Sequence, residues 1–420
     1  MSRFLFTNVK VLECTGTEPY LGEVLVESNK IIAVTQSKMI DLNNSIEAID
    51  GGGATLMPGL IESHAHLSLP NVEDIVDLGF IPPEEHTLLT LSNARLYLDC
   101  GITSCISAGA AKPRLDVVIR NAIEAGEFPG PRLLAASPWL TVTGGLGDKR
   151  TLHNSHVETM ALIVDGAENF RRVSRELIRE GVDILKLVVS GESAVPHAGP
   201  ETTPMSEAEV ASVAETAHSH GKRLSAHAKS VESIACCIRH GVSLIYHANC
   251  ADQKAIDMLE ANKDWLFVCP VIAFSVVGSY EVSHLYTEKQ IQASGVREEL
   301  ETAIHVTSEL KKRGVRILGG GDYGFSLIPH GQNARDIEHF VRYLGFTPME
   351  AILSMTKYAG EAMNLSEPVG QVRPGFLADL LLVNGNPLAD PKILTDRSNL
   401  IAIMKDGKFH KKPSPSISDS

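Results

Sequence analysis

The sequence predicts an α/β fold: a (β/α)8 TIM barrel joined to a composite β-sandwich domain made from both chain ends. Three observations carry this. Six amphipathic segments each stop at a glycine and pass into a short apolar run; eight such runs occur in all; and the two ends of the chain carry strand-like runs without intervening helices. Glycine just past a helix takes the left-handed conformation that closes the last turn, so each junction marks one αβ unit. Repeated αβ units bring their strands parallel, and eight of them close into a barrel.

The first strand-like runs are Phe4 to Leu12, Gly22 to Val26 and Lys30 to Val34, separated by turn residues such as Ser28-Asn29 and Gly51-Gly52-Gly53. From Leu56 the pattern changes. Helices are expected to end at Cys100, Ala125, Glu180, His220, His240 and Arg313, each followed by glycine. The barrel strands are then Leu56–Ile61, Ile102–Ile106, Leu133–Ala136, Ile184–Val189, Arg223–Ala226, Leu244–Ile245, Leu266–Val268 and Arg316–Leu318. Ser206 with Glu209, and Thr347-Pro348 with Glu350, have the spacing of capping boxes, and the second should open a helix running to Tyr358. After Gly360 the strands Ala378–Val383 and Leu400–Met404 return, with Asp406-Gly407 as a hairpin turn. Residues 1–57 and 361–410 are expected to form the composite domain and 58–360 the barrel, with 411–420 a disordered tail.

With 420 residues, 44% of them hydrophobic, the chain is long enough for a large core. The formal net charge of −13 and the absence of any basic run longer than a pair argue against nucleic acid as a partner. No apolar run approaches membrane-spanning length and the N-terminus lacks a signal-peptide core, so a cytoplasmic protein with no membrane contact is expected. Seven scattered cysteines without a CxxC pair speak against a disulfide framework or a zinc ribbon. A small-molecule substrate and a homo-oligomer are the expected partners.

Barrel enzymes carry their reactive groups at the C-terminal ends of the strands. Here strand one ends in His64-Ala65-His66, strand four contains Lys186, strands five and six end in His227 and His247, and strand eight ends in Asp322. Alternate residues of a strand point the same way, so His64 and His66 can bind one cation together. Imidazoles with one carboxylate suit zinc, manganese or cobalt. A lysine within an apolar strand loses basicity on burial. As a neutral amine Lys186 can take up carbon dioxide, and the resulting carbamate has two oxygens able to bridge two cations. Each of these residues alone has a bland reading, a satisfied polar group or a snorkelling lysine; five strand ends together do not.

PGLIESHAH (58–66), GDYGFSLIPHGQNARDIE (321–338) and GQVRPGFLADLLLVNGNPL (370–388) resemble motifs of the amidohydrolase superfamily, and the likeness spans nearly the whole chain. Within it the chain is most similar to the binuclear, carboxylated-lysine branch of imidazolonepropionase-like proteins, Xaa-Pro dipeptidases and ochratoxin amidohydrolases. That resemblance implies two divalent metal ions, with zinc expected. His64 and His66 would bind the buried ion, Lys186 would bridge as a carbamate, and His227 and His247 would bind the second. Asp322 would contact metal and shuttle the proton, which makes Asp322 and His247 the catalytic candidates. The implied reaction is bridging-hydroxide attack on an amide carbonyl, in an N-acyl amino acid or dipeptide-like substrate.

Departures from the branch bear on substrate. A loop histidine common there is replaced by Leu146, so that contact is either absent or comes from elsewhere, such as His153 or His156, each otherwise an ordinary loop histidine. Lys229 stands where an aromatic residue often meets a substrate carboxylate. An ammonium there either pairs with a carboxylate or is simply solvated. Tyr246 and Tyr323 would narrow the pocket, and His330 either faces substrate or, with Asn333 and Glu338, fastens a loop. A carbamate, urea or ester hydrolase needs the same centre and only a different pocket. A deaminase leaves Lys186 unexplained, and a non-catalytic scaffold leaves the six ligands so.

Overall fold

The computed structural model describes residues 2–36, 46–193 and 195–413. Both chain ends contribute to one sheet, which holds eight strands among the described residues. Its order runs Lys408–Lys411, Leu400–Lys405, Leu380–Val383, Thr55–Pro58, Arg3–Val11, Tyr20–Glu27 and Lys30–Thr35, with Glu47–Asp50 pairing parallel to Arg3–Val11. The join is direct, since Leu380–Val383 pairs antiparallel with Thr55–Pro58. Alternating apolar positions such as Val9, Val11, Leu56, Leu380 and Leu382 fill the core beneath it. Asp406 and Gly407 both have positive φ, +50° and +67°, as the tight hairpin between the last two strands requires. That final strand runs through Lys411, one residue into the expected tail; from 414 onward the tail lies outside the described residues.

The parallel strands fall into two groups. One is Leu60–Ala65, Ile102–Ser107, Arg132–Leu134; the other is Ala161–Ile163, Ala136–Thr141, Ile184–Val188, Arg223–Ala228, Leu244–His247, Phe267–Cys269. Backbone bonds continue past the named pairs. Leu318 N donates to Val268 O at 2.9 Å, and Ser63 N donates to Gly319 O at 3.1 Å. All six glycines that were expected to stop helices have positive φ, from +62° at Gly221 to +102° at Gly181. The Ser206/Glu209 and Thr347/Glu350 capping boxes both form.

Four expectations need correction. The run Leu56–Ile61 is two strands, divided at Gly59, where an added Cβ would lie 2.1 Å from Thr103 Oγ1. Leu133–Ala136 likewise straddles a break at Ala135, with Arg132–Leu134 pairing one way and Ala136–Thr141 the other. Arg316–Leu318 makes only a single parallel bridge, Ile317 to Val268, before the Gly319-Gly320-Gly321 run; an added Cβ on Gly320 would meet His64 N at 2.6 Å. The helix from Thr347 ends at Ser354, because Thr356 (φ −133°, ψ −89°) leaves the helical region before Lys357–Met363 begins. Among the described residues no helix is long and apolar enough to cross a membrane.

Candidate metal centre

His64 lies within the strand Leu60–Ala65 and His66 just beyond its end, so their rings project together, with centroids 5.1 Å apart. Both residues are buried. Asp322 reaches them from beyond the triple glycine: its Oδ1 is 3.2 Å from His66 Nε2 and 3.6 Å from His64 Nε2. The protonation of His66 can be assigned from its surroundings. Its Nδ1 lies 2.9 Å from the carbonyl oxygen of Gly109, which can only accept, so Nδ1 carries the hydrogen. In the neutral ring Nε2 is then a bare lone pair facing a carboxylate oxygen. Two acceptors that close repel unless a proton or a metal ion lies between them.

Among the described residues neither His66 Nε2 nor Asp322 Oδ1 has a hydrogen-bond partner, although both atoms are buried, and His64 Nδ1 is equally unmatched. Ligand atoms of His64, His66 and Asp322 all lie within 4.8 Å of one another, a set that fits a divalent metal ion.

The remaining predicted ligands adjoin this set. The rings of His227 and His247 are 4.4 Å apart, and His247 is 5.7 Å from His64. His227 Nε2 lies 3.1 Å from Gly191 O, which leaves Nδ1 as its lone pair. Lys186 is buried on the strand Ile184–Val188, and its Nζ sits 3.8 Å from the centroid of the Tyr246 ring. Tyr246 in turn packs on His64 at 4.1 Å and donates its hydroxyl hydrogen to Ser63 O. Backbone strain gathers here: Asp322, His247 and Ala248 have φ of +62°, +75° and +59°. Left-handed geometry at non-glycine residues is held by surroundings that over-determine it and is frequent at functional sites.

Burial sets the charge states. It pushes His64 and His247 well below the usual imidazole range and His227 down to about 3, so all three are neutral near neutral pH. Burial also lowers Lys186 to about 7. Burial alone would raise Asp322, but His64, His66 and Lys186 outweigh it and hold the carboxyl below its usual range. Neutral imidazoles and an ionised carboxylate are the forms that ligate metals.

The other predicted substrate contacts have partners or surroundings of their own. Tyr323 donates its hydroxyl hydrogen to Asp336 Oδ1, His330 Nε2 lies 2.7 Å from Leu69 O, and His153 and His156 are exposed on the loop that also holds Leu146. Lys229 is buried, with its ammonium held by Glu192 and Glu299. Sequence reasoning missed both glutamates. Glu192 follows the strand-four end with no partner residue in register, and Glu299 sits in a helix whose acidic residues read as a solvated face. It also missed Glu62, which accepts from His64 N and Asn333 Nδ2 and so ties the metal strand to the loop after Asp322.

The family model of the amidohydrolase family matches residues 55–409. Ochratoxinase of Aspergillus niger is 27% identical over 431 aligned residues, covering 94% of this chain and 84% of that protein. A crystal structure of a prolidase complexed with N-methylphosphonate-L-proline superposes with a TM-score of 0.86 at 25% identity, covering 98% of this chain and all of the other. The crystal structure of A. niger ochratoxinase gives 0.83 at 22% identity, covering 98% and 96%. These likenesses give the chain a TIM-barrel-type α/β fold.

Proposed function

The chain belongs to the amidohydrolase family, and from that premise we propose that it is a metal-dependent hydrolase of amide C–N bonds in N-acyl amino acids or dipeptide-like substrates. The carrying observation is the pair of unmatched acceptors, His66 Nε2 and Asp322 Oδ1, 3.2 Å apart and buried. Ochratoxinase and prolidase, among the relatives, support the amide reading. On this reading the parallel strands close into a (β/α)8 barrel over 58–360, supported by the Leu318–Val268 and Ser63–Gly319 bonds. The shared sheet of the two ends becomes one layer of the composite β-sandwich.

The donor set suits two divalent metals, zinc foremost: His64 and His66 would hold one, His227 and His247 the other, and Lys186, as a carbamate, and Asp322 would complete the set. Such ions, when bound, polarise a scissile carbonyl and lower the pKa of water. The other tasks fall to the chain itself. Gly109 and Gly191 fix the tautomers of His66 and His227, so each ring offers a defined lone pair. The ring of Tyr246 beside Lys186 keeps water from the amine, and the low basicity of that amine leaves it free to add to carbon dioxide, releasing a proton as the carbamate forms. Asp322, whose Oδ1 faces the histidines, accepts a proton from the attacking water at Oδ2 and returns it to the departing nitrogen.

The test has two parts. Purified protein is analysed for metal, with close to two divalent ions per chain expected. Protein loaded with zinc, manganese or cobalt is then assayed on N-acyl amino acids, dipeptides, carbamates, aryl ureas and esters. Turnover confined to esters or carbamates overturns the amide reading, and metal-free protein with full activity overturns the metal.

A further inference from the structure

Beside the metal centre, the ammonium of Lys229 is not available to a substrate. It donates to Glu192 Oε1 at 2.5 Å and to Glu299 Oε1, so one positive charge is shared by two carboxylates and the cluster carries a net negative charge. The other acceptors are only partly used. Glu192 Oε1 also accepts from Ser193 N, and Glu299 accepts from Asn249 Nδ2 at 3.2 Å and from Ser193 Oγ. Among the described residues, Glu192 Oε2 accepts no hydrogen bond and lies 4.0 Å from Nε2 of His227. Asn249 is 2% exposed, and its buried Oδ1 has no partner among the described residues. The amide cannot be turned over to satisfy that oxygen, since doing so would bring it against the Glu299 carboxylate.

One buried acceptor, Asn249 Oδ1, therefore stays open beside a negatively charged cluster whose Glu192 carboxylate is partly exposed, and a buried acceptor left unmatched is costly. A cationic donor such as an alkylammonium, with three N–H groups, answers both the open oxygen and the negative charge. We infer that the Glu192–Lys229–Glu299–Asn249 cluster is a substrate subsite for a protonated amino group, so that this enzyme selects ammonium-bearing substrates over N-acylated or anionic ones. This rests on the amide-hydrolase reading and narrows its substrate class. The ammonium belongs either to a free α-amine or to a basic side chain, and the test separates them.

Wild type and Glu192→Gln, matched for metal content, are assayed on Ala-Leu, Ala-Lys and their N-acetyl forms. The subsite predicts about a tenfold or greater advantage in kcat/KM for ammonium-bearing substrates, carried by KM. It also predicts that Glu192→Gln brings the kcat/KM ratio between ammonium-bearing and N-acetylated substrates close to one, whatever the absolute rates. A preference erased by N-acetylation of Ala-Leu assigns the α-amine; one kept by N-acetyl-Ala-Lys assigns the side chain. Equal kcat/KM for all four substrates, or a uniform loss in Glu192→Gln, overturns the subsite. Calorimetric titration with n-butylamine and n-butanol at neutral pH reads the subsite without turnover. Amine binding weakened by Glu192→Gln, with no amide cleaved, sustains the subsite and counts against the amide reading; amine and alcohol binding alike removes the subsite.

Discussion

Nζ of Lys186 sits 3.8 Å from the centroid of the Tyr246 ring, and that ring packs at 4.1 Å on His64. One aromatic side chain thus supports both Lys186 and His64, two of the residues proposed to hold metal. Tyr246→Phe keeps the ring and removes only the hydroxyl bond to Ser63 O, which leaves that carbonyl short of a partner. A loss of about 1 kcal/mol in unfolding free energy is expected, with metal content and turnover near wild type. Tyr246→Ala removes the wall and should cost about 3–5 kcal/mol and lower metal content as well. Chemical denaturation and metal analysis check both; metal content unchanged in Tyr246→Ala would remove the supporting role.

Lys186 can form a carbamate only as the free amine. With its pKa near 7, reloading of metal-depleted protein should be poor at about pH 6 and efficient at about pH 8. Bicarbonate should raise the rate and final stoichiometry of loading, and carbon-dioxide-free buffer should leave chains with fewer than two ions. Lys186→Arg, always protonated, should not respond to bicarbonate. Loading that is indifferent to bicarbonate in the wild type counts against carboxylation.

How much of this site the sequence discloses depends on the kind of relationship involved. His64, His66, His227 and His247 are legible because they lie at or next to strand ends, Lys186 because it stands inside an apolar strand, and Asp322 because it follows a strand-like run. Parallel strands gather such positions at one end. The glycines that stop helices are legible because a left-handed residue is a local need. The break at Gly59 is not, since it answers to the side chain of Thr103, 44 residues later. The partners of Lys229 are hidden for the same reason. Glu192 and Glu299 are 37 and 70 residues away, and nothing in the local pattern of either tells a paired, half-buried carboxylate from a solvated one.

Asp322→Asn keeps the size of the side chain and removes its basicity. Metal content should persist, because an amide oxygen still ligates, while kcat falls by about 10²–10⁴ for want of the proton acceptor. Equal loss of metal and activity would make Asp322 a ligand alone.

Arg132, on a parallel strand, donates to Asp379 and Asp406 of the C-terminal return, and Asp379 is buried. Arg132→Ala strands a buried carboxylate against another, and about 3–5 kcal/mol of stability should be lost. Replacing Asp379 with asparagine in that background should recover part of it, because the stranded charge is gone. Urea unfolding of the two variants decides the matter: no recovery in the double variant would mean that the loss comes from packing.

The histidines predict how stability depends on pH. Burial depresses His64, His227 and His247, so in the folded state they stay neutral, whereas in the unfolded chain they take up protons below about pH 6.5. The unfolded state then binds more protons, and stability falls as pH drops through that value. For His227 the loss continues to its folded pKa of about 3, with a slope approaching about 1.4 kcal/mol per pH unit. Metal strengthens the trend, since it too binds only the neutral rings. Urea midpoints of the metal-depleted protein should fall steadily between about pH 7.5 and pH 5, and His227→Gln should flatten part of that slope. Midpoints independent of pH over that range would mean that these rings are not buried neutral in the folded chain.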